Sequence, residues 1–211
     1  MKKLFIGVYN PSIILTYIGV FCSLYGMSKI LIPRDGGIFD VLTLGMIMLV
    51  IAGVCDMFDG RIARLCKRTE KEKEFGIQLD SLADTASFVV FPAALLIYAT
   101  HGSIAGIVVA MFYCFAGIMR LGWFNVTTEE NKGYFFGLPV TFSALIIPST
   151  YLIMHWLSCG KYQNYEIVFP IVYGITGLLF ISNFKLKKPG LVISIALVLL
   201  SIVAITLLIL T

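Results

Sequence analysis

The chain has 211 residues, 59% of them hydrophobic and 13% charged; with its 19 glycines the apolar share reaches about two thirds, against roughly 45–50% in soluble domains. Sixteen basic and 12 acidic side chains cannot clothe a soluble globule of this size, so a soluble domain is excluded and one integral-membrane domain over residues 1–211 is expected. A net charge of +4 without interleaved basic and aromatic residues gives no sign of nucleic acid as a partner.

About 20 apolar residues cross a bilayer core. Met1-Lys2-Lys3 ahead of an apolar run looks at first like a signal peptide, but no Ala-x-Ala-like site follows, and the run is long enough to span. Spans are predicted at Ser12 to Ile32, Phe39 to Asp59, Leu79 to Tyr98, Ser103 to Met119, Leu138 to Leu157, Ile167 to Ile181 and Leu191 to Thr211. Pro33, Gly36-Gly37, Gly102 and Pro189-Gly190 punctuate them. The expected fold is all-α: a polytopic membrane bundle of about six core helices plus a C-terminal one. A cytoplasmic N-terminus puts thirteen lysines and arginines on the inner side and three, Lys29, Arg34 and Lys161, on the outer. That asymmetry sets the orientation. His101 and His155 fall at the outer face with no assigned role, and the five cysteines, Cys22, Cys55, Cys66, Cys114 and Cys159, read as reduced packing residues.

Thirteen of the charges lie between Asp56 and Asp84. Asp56 and Asp59 are spaced i, i+3 and share a helix face; Asp80 and Asp84 are spaced i, i+4 and share a face of the next helix. Any one of these residues alone would be an ordinary helix end in headgroup water. Together, four carboxylates at one membrane surface repel and call for neutralising cations. Hard divalent ions with oxygen ligands, two Mg²⁺ or Mn²⁺, suit such a set. Gly60, Ala63 and Gly76 leave room for a ligand to reach the backbone, and Arg64, one turn beyond Gly60, suits bidentate contact with a phosphate. A phosphate ester or diphosphate at the cytoplasmic interface is the expected substrate.

This pattern resembles the CDP-alcohol phosphotransferase family, whose motif is Asp-x-x-Asp-Gly-x-x-Ala-Arg followed after a spacer by Gly-x-x-x-Asp-x-x-x-Asp. Asp56, Asp59, Gly60, Ala63, Arg64, Gly76, Asp80 and Asp84 match every specified position. Eleven residues separate Arg64 from Gly76, where the family commonly has about eight, and the surplus falls within Cys66 to Phe75, read as a longer solvated connection. The resemblance implies that Asp56, Asp59, Asp80 and Asp84 hold the metals and that Asp84 is also general base on the acceptor hydroxyl. It further implies that Gly60, Ala63, Arg64 and Gly76, with Thr69 a candidate in the connection, bind the CDP-lipid. The segments 120–126, 136–139 and 182–185 look like the phosphatidylserine synthase branch, with Trp123 where that branch usually has a second arginine. Arg120 and Asn125 are then acceptor candidates.

The expected reaction is phosphatidyl transfer from CDP-diacylglycerol to serine with release of CMP, in an enzyme of the cytoplasmic membrane that resembles family members commonly found as homodimers. Inositol phosphate or glycerol phosphate are alternative acceptors, disfavoured by the sparse basic residues outside the motif. A cation transporter is the alternative of another class. It would place polar groups near the bilayer midplane rather than at helix ends.

Overall fold

Apolar runs of bilayer length can satisfy their backbone groups in lipid only as helices. The computed structural model, which describes residues 10–32, 40–127, 134–157, 165–187 and 191–210, is built accordingly. Its described residues form seven helices: α1 (Ile14–Leu31), α2 (Val41–Leu65), α3 (Glu70–Ala99), α4 (Ile104–Thr127), α5 (Ser143–Leu157), α6 (Tyr165–Ile181) and α7 (Leu191–Ile209). Five helical stretches, Val140–Leu157 among them, are long and apolar enough to cross a membrane; α6 and the end of α7 are shorter apolar helices. The chain is an all-α, multi-pass membrane protein. The signals at Pro33, Gly36-Gly37 and Pro189-Gly190, Phe39, Cys159, Arg34, Thr211 and the lysines at 2, 3, 132, 161 and 188 lie outside the described residues. One feature the helical reading omitted is a short antiparallel ribbon, β1 (Tyr134–Phe136) on β2 (Lys185–Lys187).

The helices around the charged window are longer than the hydropathy pattern suggests. Helix α2 runs six residues past Asp59, and α3 begins nine residues before Leu79. The reason is local chemistry. Thr69 caps α3: its backbone N–H donates to Glu72 Oε2 at 2.8 Å, and Glu72 N–H donates back to Thr69 Oγ1 at 3.4 Å. Such a capping box satisfies orphan donors of the first turn. Acidic residues in that turn and the Lys73–Glu70 pair at 2.7 Å add support. Only residues 66–69 stay non-helical, so most of the expected connector is helix.

The core is aromatic and aliphatic: Met46 and Leu49 of α2, Phe88, Phe91 and Leu95 of α3, Tyr113 of α4 and Phe169 of α6 are almost wholly buried. Helix α1 packs along α2, α4 along α6, and α7 against α2 and α5. Small residues set some of these approaches. A Cβ at Gly53 would lie 2.6 Å from Ala144 Cβ, and one at Gly117 would lie 2.7 Å from Val89. The four described cysteines are unpaired thiols, as expected. His101 and Glu166, both exposed, approach to 4.0 Å.

Helix α3 is not uniform. Thr85–Val90, directly after Asp84, is a π-helical turn. Pro92 explains it: with no N–H, it cannot donate to the Phe88 carbonyl four residues back, and its ring crowds the preceding turn. The freed Phe88 carbonyl accepts from Tyr113 Oη at 2.8 Å and Ser143 Oγ at 3.3 Å, two hydroxyls brought by α4 and α5. The wide turn is therefore locked from two sides.

Tyr113→Phe should cost about 1 kcal/mol and lower the thermal midpoint of the detergent-solubilised protein by about 2–4 °C. The double change with Ser143→Ala leaves the carbonyl without either hydroxyl, and should cost more than the two single changes summed. Strict additivity would mean that the carbonyl has another donor.

Candidate active site

The first two carboxylates come from the body of α2 and the second two from the first half of α3, so both pairs ride on rigid helix rather than on frayed ends. Three of the four carboxylates meet in three dimensions. Carboxylate oxygens of Asp56, Asp80 and Asp84 lie within 4.8 Å of one another, across the groove between the two helices. Asp56 and Asp84 are within hydrogen-bond reach. Asp59 is buried and takes a 2.9 Å hydrogen bond on Oδ2 from Thr16 Oγ1 of α1. Among the described residues no lysine, arginine or histidine forms a salt bridge with any of the four.

Hard oxygen donors, crowded and without a salt bridge to a described protein cation, fit a divalent ion of the Mg²⁺ or Mn²⁺ kind. Two like charges 4.8 Å apart repel by about 3.5 kcal/mol at an effective dielectric constant near 20, and three mutually close carboxylates carry that cost for every pair. Arg120, close enough to Asp84 for their charges to interact, offsets part of it.

A cavity of about 370 Å³ opens beside the cluster. Ile13 and Thr16 form one wall, Asp59, Gly60, Ala63 and Arg64 a second, and Arg68, Lys73, Gly76, Ile77, Leu79 and Asp80 the remainder. Five positions singled out in the sequence for the nucleotide or the metal thus share one cavity with Asp80. A Cβ at Gly60 would meet nothing within 4 Å, so the backbone there is open to a ligand. Thr69 does not line this cavity. Its hydroxyl serves the helix cap, donating to Glu72 Oε2 at 3.0 Å. Asp56 borders a second cavity of about 190 Å³ with a mostly apolar lining that includes Phe135, Phe142 and Leu145 beside Thr141 and Ser201.

The acceptor candidates lie on α4. Arg120 is buried; its Nε donates to the Leu138 carbonyl at 3.2 Å, and its guanidinium stacks over Phe124 and, more distantly, Phe135. It is close enough to Asp84 for their charges to interact, and it lines a third cavity with Trp123, Ser182 and Asn183. Asn125 Oδ1 accepts from Ser81 Oγ at 3.0 Å, which ties α4 to α3 next to Asp80. The segments 136–139 and 182–185 meet at the ribbon: Gly137 N–H donates to the Phe184 carbonyl at 2.9 Å. Gly137 has φ +69°, and a Cβ there would lie 2.6 Å from the Phe180 carbonyl oxygen, so only glycine fits.

Sequence reasoning missed Thr16, Arg68, Lys73 and Ser81. Thr16 carries no signal of its own, being one hydroxyl in an apolar run. Arg68 and Lys73 sat in a stretch that looked like a solvated connector, and only the early start of α3 turns them toward the cavity.

A CDP-diacylglycerol–serine O-phosphatidyltransferase of Helicobacter pylori is 34% identical over 146 residues, covering 65% of this chain and 58% of that protein. One of Methanocaldococcus jannaschii is 30% identical over 152 residues, covering 72% and 68%. An archaetidylserine synthase of Methanothermobacter thermautotrophicus is 38% identical over 129 residues, covering 60% and 52%. The chain spans a little over half the length of the first and last of these relatives. The family model for CDP-alcohol phosphatidyltransferases matches residues 9–211, nearly the whole chain, and the chain belongs to that family.

Proposed function

We propose that this protein transfers a phosphatidyl group from CDP-diacylglycerol to serine, forming phosphatidylserine and CMP. The observation that carries the reading is the meeting of Asp56, Asp80 and Asp84 beside a cavity walled by Gly60, Ala63, Arg64 and Gly76. Asp56, Asp59, Asp80 and Asp84 would hold two divalent ions, whose charge would offset what builds on the departing cytidylate. Gly60, Ala63 and Gly76 admit the nucleotide close to the backbone, and Arg64 pairs with its diphosphate. Asp84 takes the proton of the acceptor hydroxyl as the new oxygen–phosphorus bond forms and the bond to CMP breaks. Thr16 holds Asp59 in one orientation through its 2.9 Å hydrogen bond. Arg120 and Asn125 orient the acceptor, a role supported by the nearness of Arg120 to Asp84 and the hydrogen bond of Asn125 to Ser81. The names of the relatives favour serine over a phosphorylated acceptor. The charge asymmetry of the loops supports a cytoplasmic membrane enzyme with its N-terminus and site on the cytoplasmic side, and we assign it a homodimeric state by resemblance.

Purified protein given CDP-diacylglycerol and Mg²⁺ or Mn²⁺ should release CMP with serine, lose that activity in a chelator and regain it when metal returns. Release with inositol phosphate or glycerol phosphate but not serine would replace the acceptor, and no release with any alcohol would refute the reading. Asp84→Asn should lower turnover by about 10²–10⁴-fold. Because that change removes one of the mutually repelling charges, the metal-free variant should melt no lower than the unaltered protein; wild-type turnover would remove Asp84 from the base role. Thr16→Val should raise the metal concentration needed for half-maximal rate by about tenfold, with a smaller effect on the rate at saturating metal. An unchanged metal requirement would make the hydrogen bond to Asp59 incidental.

A further inference from the structure

The lengthened connection between the two halves of the motif places an arginine at the nucleotide cavity that the motif does not specify. Arg68 lines that cavity, and its Nε is buried with no hydrogen-bond partner among the described residues. Buried donors are rarely left unpaired, so an orphan N–H on the wall of a cavity is a vacancy for an acceptor. Its Nη1 lies 3.4 Å from where a Cβ at Gly76 would stand, so the guanidinium reaches over Gly76 of α3.

The charges around the cavity point to the acceptor's nature. Lys73 is matched by Glu70 at 2.7 Å. Arg64 and Arg68 make no salt bridge among the described residues, which leaves two uncompensated guanidinium groups facing one cavity. The carboxylates on its floor stand where metal ions are expected. Two free forks with fixed donor geometry suit phosphate oxygens. Arg68 is also held in place: it directly precedes Thr69, whose capping box with Glu72 fixes the point at which the backbone enters α3. The residues added between Arg64 and Gly76 therefore end in a rigid helix start that aims Arg68 at the cavity.

We propose that Arg68 binds the phosphate that stays with the nucleoside, the one retained on CMP after transfer. The assignment rests on the cytidylate reading above and adds a contact that the motif does not specify. Gly76 and Arg64, its neighbours in the cavity, are on the nucleotide side of the site, which favours the nucleotide phosphate over the lipid-borne one.

Binding of CMP, cytidine and a short-chain phosphatidic acid to the full-length protein in detergent with Mg²⁺ tests this. Arg68→Ala should weaken CMP about tenfold, as loss of a charged hydrogen bond does, and leave cytidine and phosphatidic acid unchanged. Arg68→Lys, which keeps the charge and loses the fork, should recover part of the loss. Lys67→Ala, outside the cavity, should bind CMP as the unaltered protein does. Equal weakening of CMP and cytidine, loss confined to phosphatidic acid, or unchanged CMP binding would each overturn the assignment to Arg68 while leaving the cytidylate reading intact. An unaltered protein that binds neither CMP nor cytidine would overturn that reading and this assignment with it.

Discussion

Repulsion among carboxylates is the constraint on which this structure turns. Asp56, Asp80 and Asp84 hold their oxygens within 4.8 Å, with Asp59 buried alongside, and no described basic residue forms a salt bridge with them. Without its counter-ions such a cluster pushes the backbones that carry it apart. Close helix contacts resist that push: Gly53 lets α2 meet Ala144 of α5, and Gly117 lets α4 meet Val89 of α3. Each contact leaves no room for a side chain, so the helices that present the acids are fixed by packing rather than by attraction within the site.

The π-helical turn after Asp84 belongs to the same arrangement. On an unbroken α-helix, Asp84 would lie on the stripe of Phe88, Phe91 and Leu95, all of which are buried in the apolar core. The extra residue of a π-turn rotates the stretch before it relative to the stretch after it by about 100°. Helix α3 can thus direct one face to the acid cluster and another to the core. Pro92 opens the turn, and Tyr113 and Ser143 close off the carbonyl that Pro92 leaves without a donor. A defect in backbone bonding is in this way converted into the orientation of Asp84.

Around the acids, the C-terminal end of α2 and the N-terminal end of α3 build a basic rim. Arg64, Arg68 and Lys73 stand along a cavity whose floor is Asp59 and Asp80. Positive walls over a negative floor suit a ligand that carries phosphates and shares its oxygens with metal ions. On the other side of the cluster, Asp56 faces a smaller and more apolar space, and Arg120 stands near Asp84 over Phe124. The cluster therefore separates environments of different chemistry, which suits the proposed transfer between a nucleotide-linked lipid and a small acceptor.

Composition, apolar run lengths and helical spacing were enough to establish a multi-pass helical protein and the two Asp pairs, because each depends on residues within a few turns of one another. The family motif likewise lies within 29 residues, Asp56 to Asp84. What lay beyond local pattern was decided by packing. The extension of α3 back to Glu70 came from a cap in a stretch whose charge suggested solvated loop, and it carried Arg68 and Lys73 into the site. Thr16 reached Asp59 across 43 positions of sequence, and Ser81 reached Asn125 across 44. The ribbon joining 134–136 to 185–187 made neighbours of segments that the sequence holds about fifty residues apart. Local spacing reveals which groups share a helix face; which faces meet, and what stands between them, depends on the close approach of whole helices, and that is a property of the tertiary structure alone.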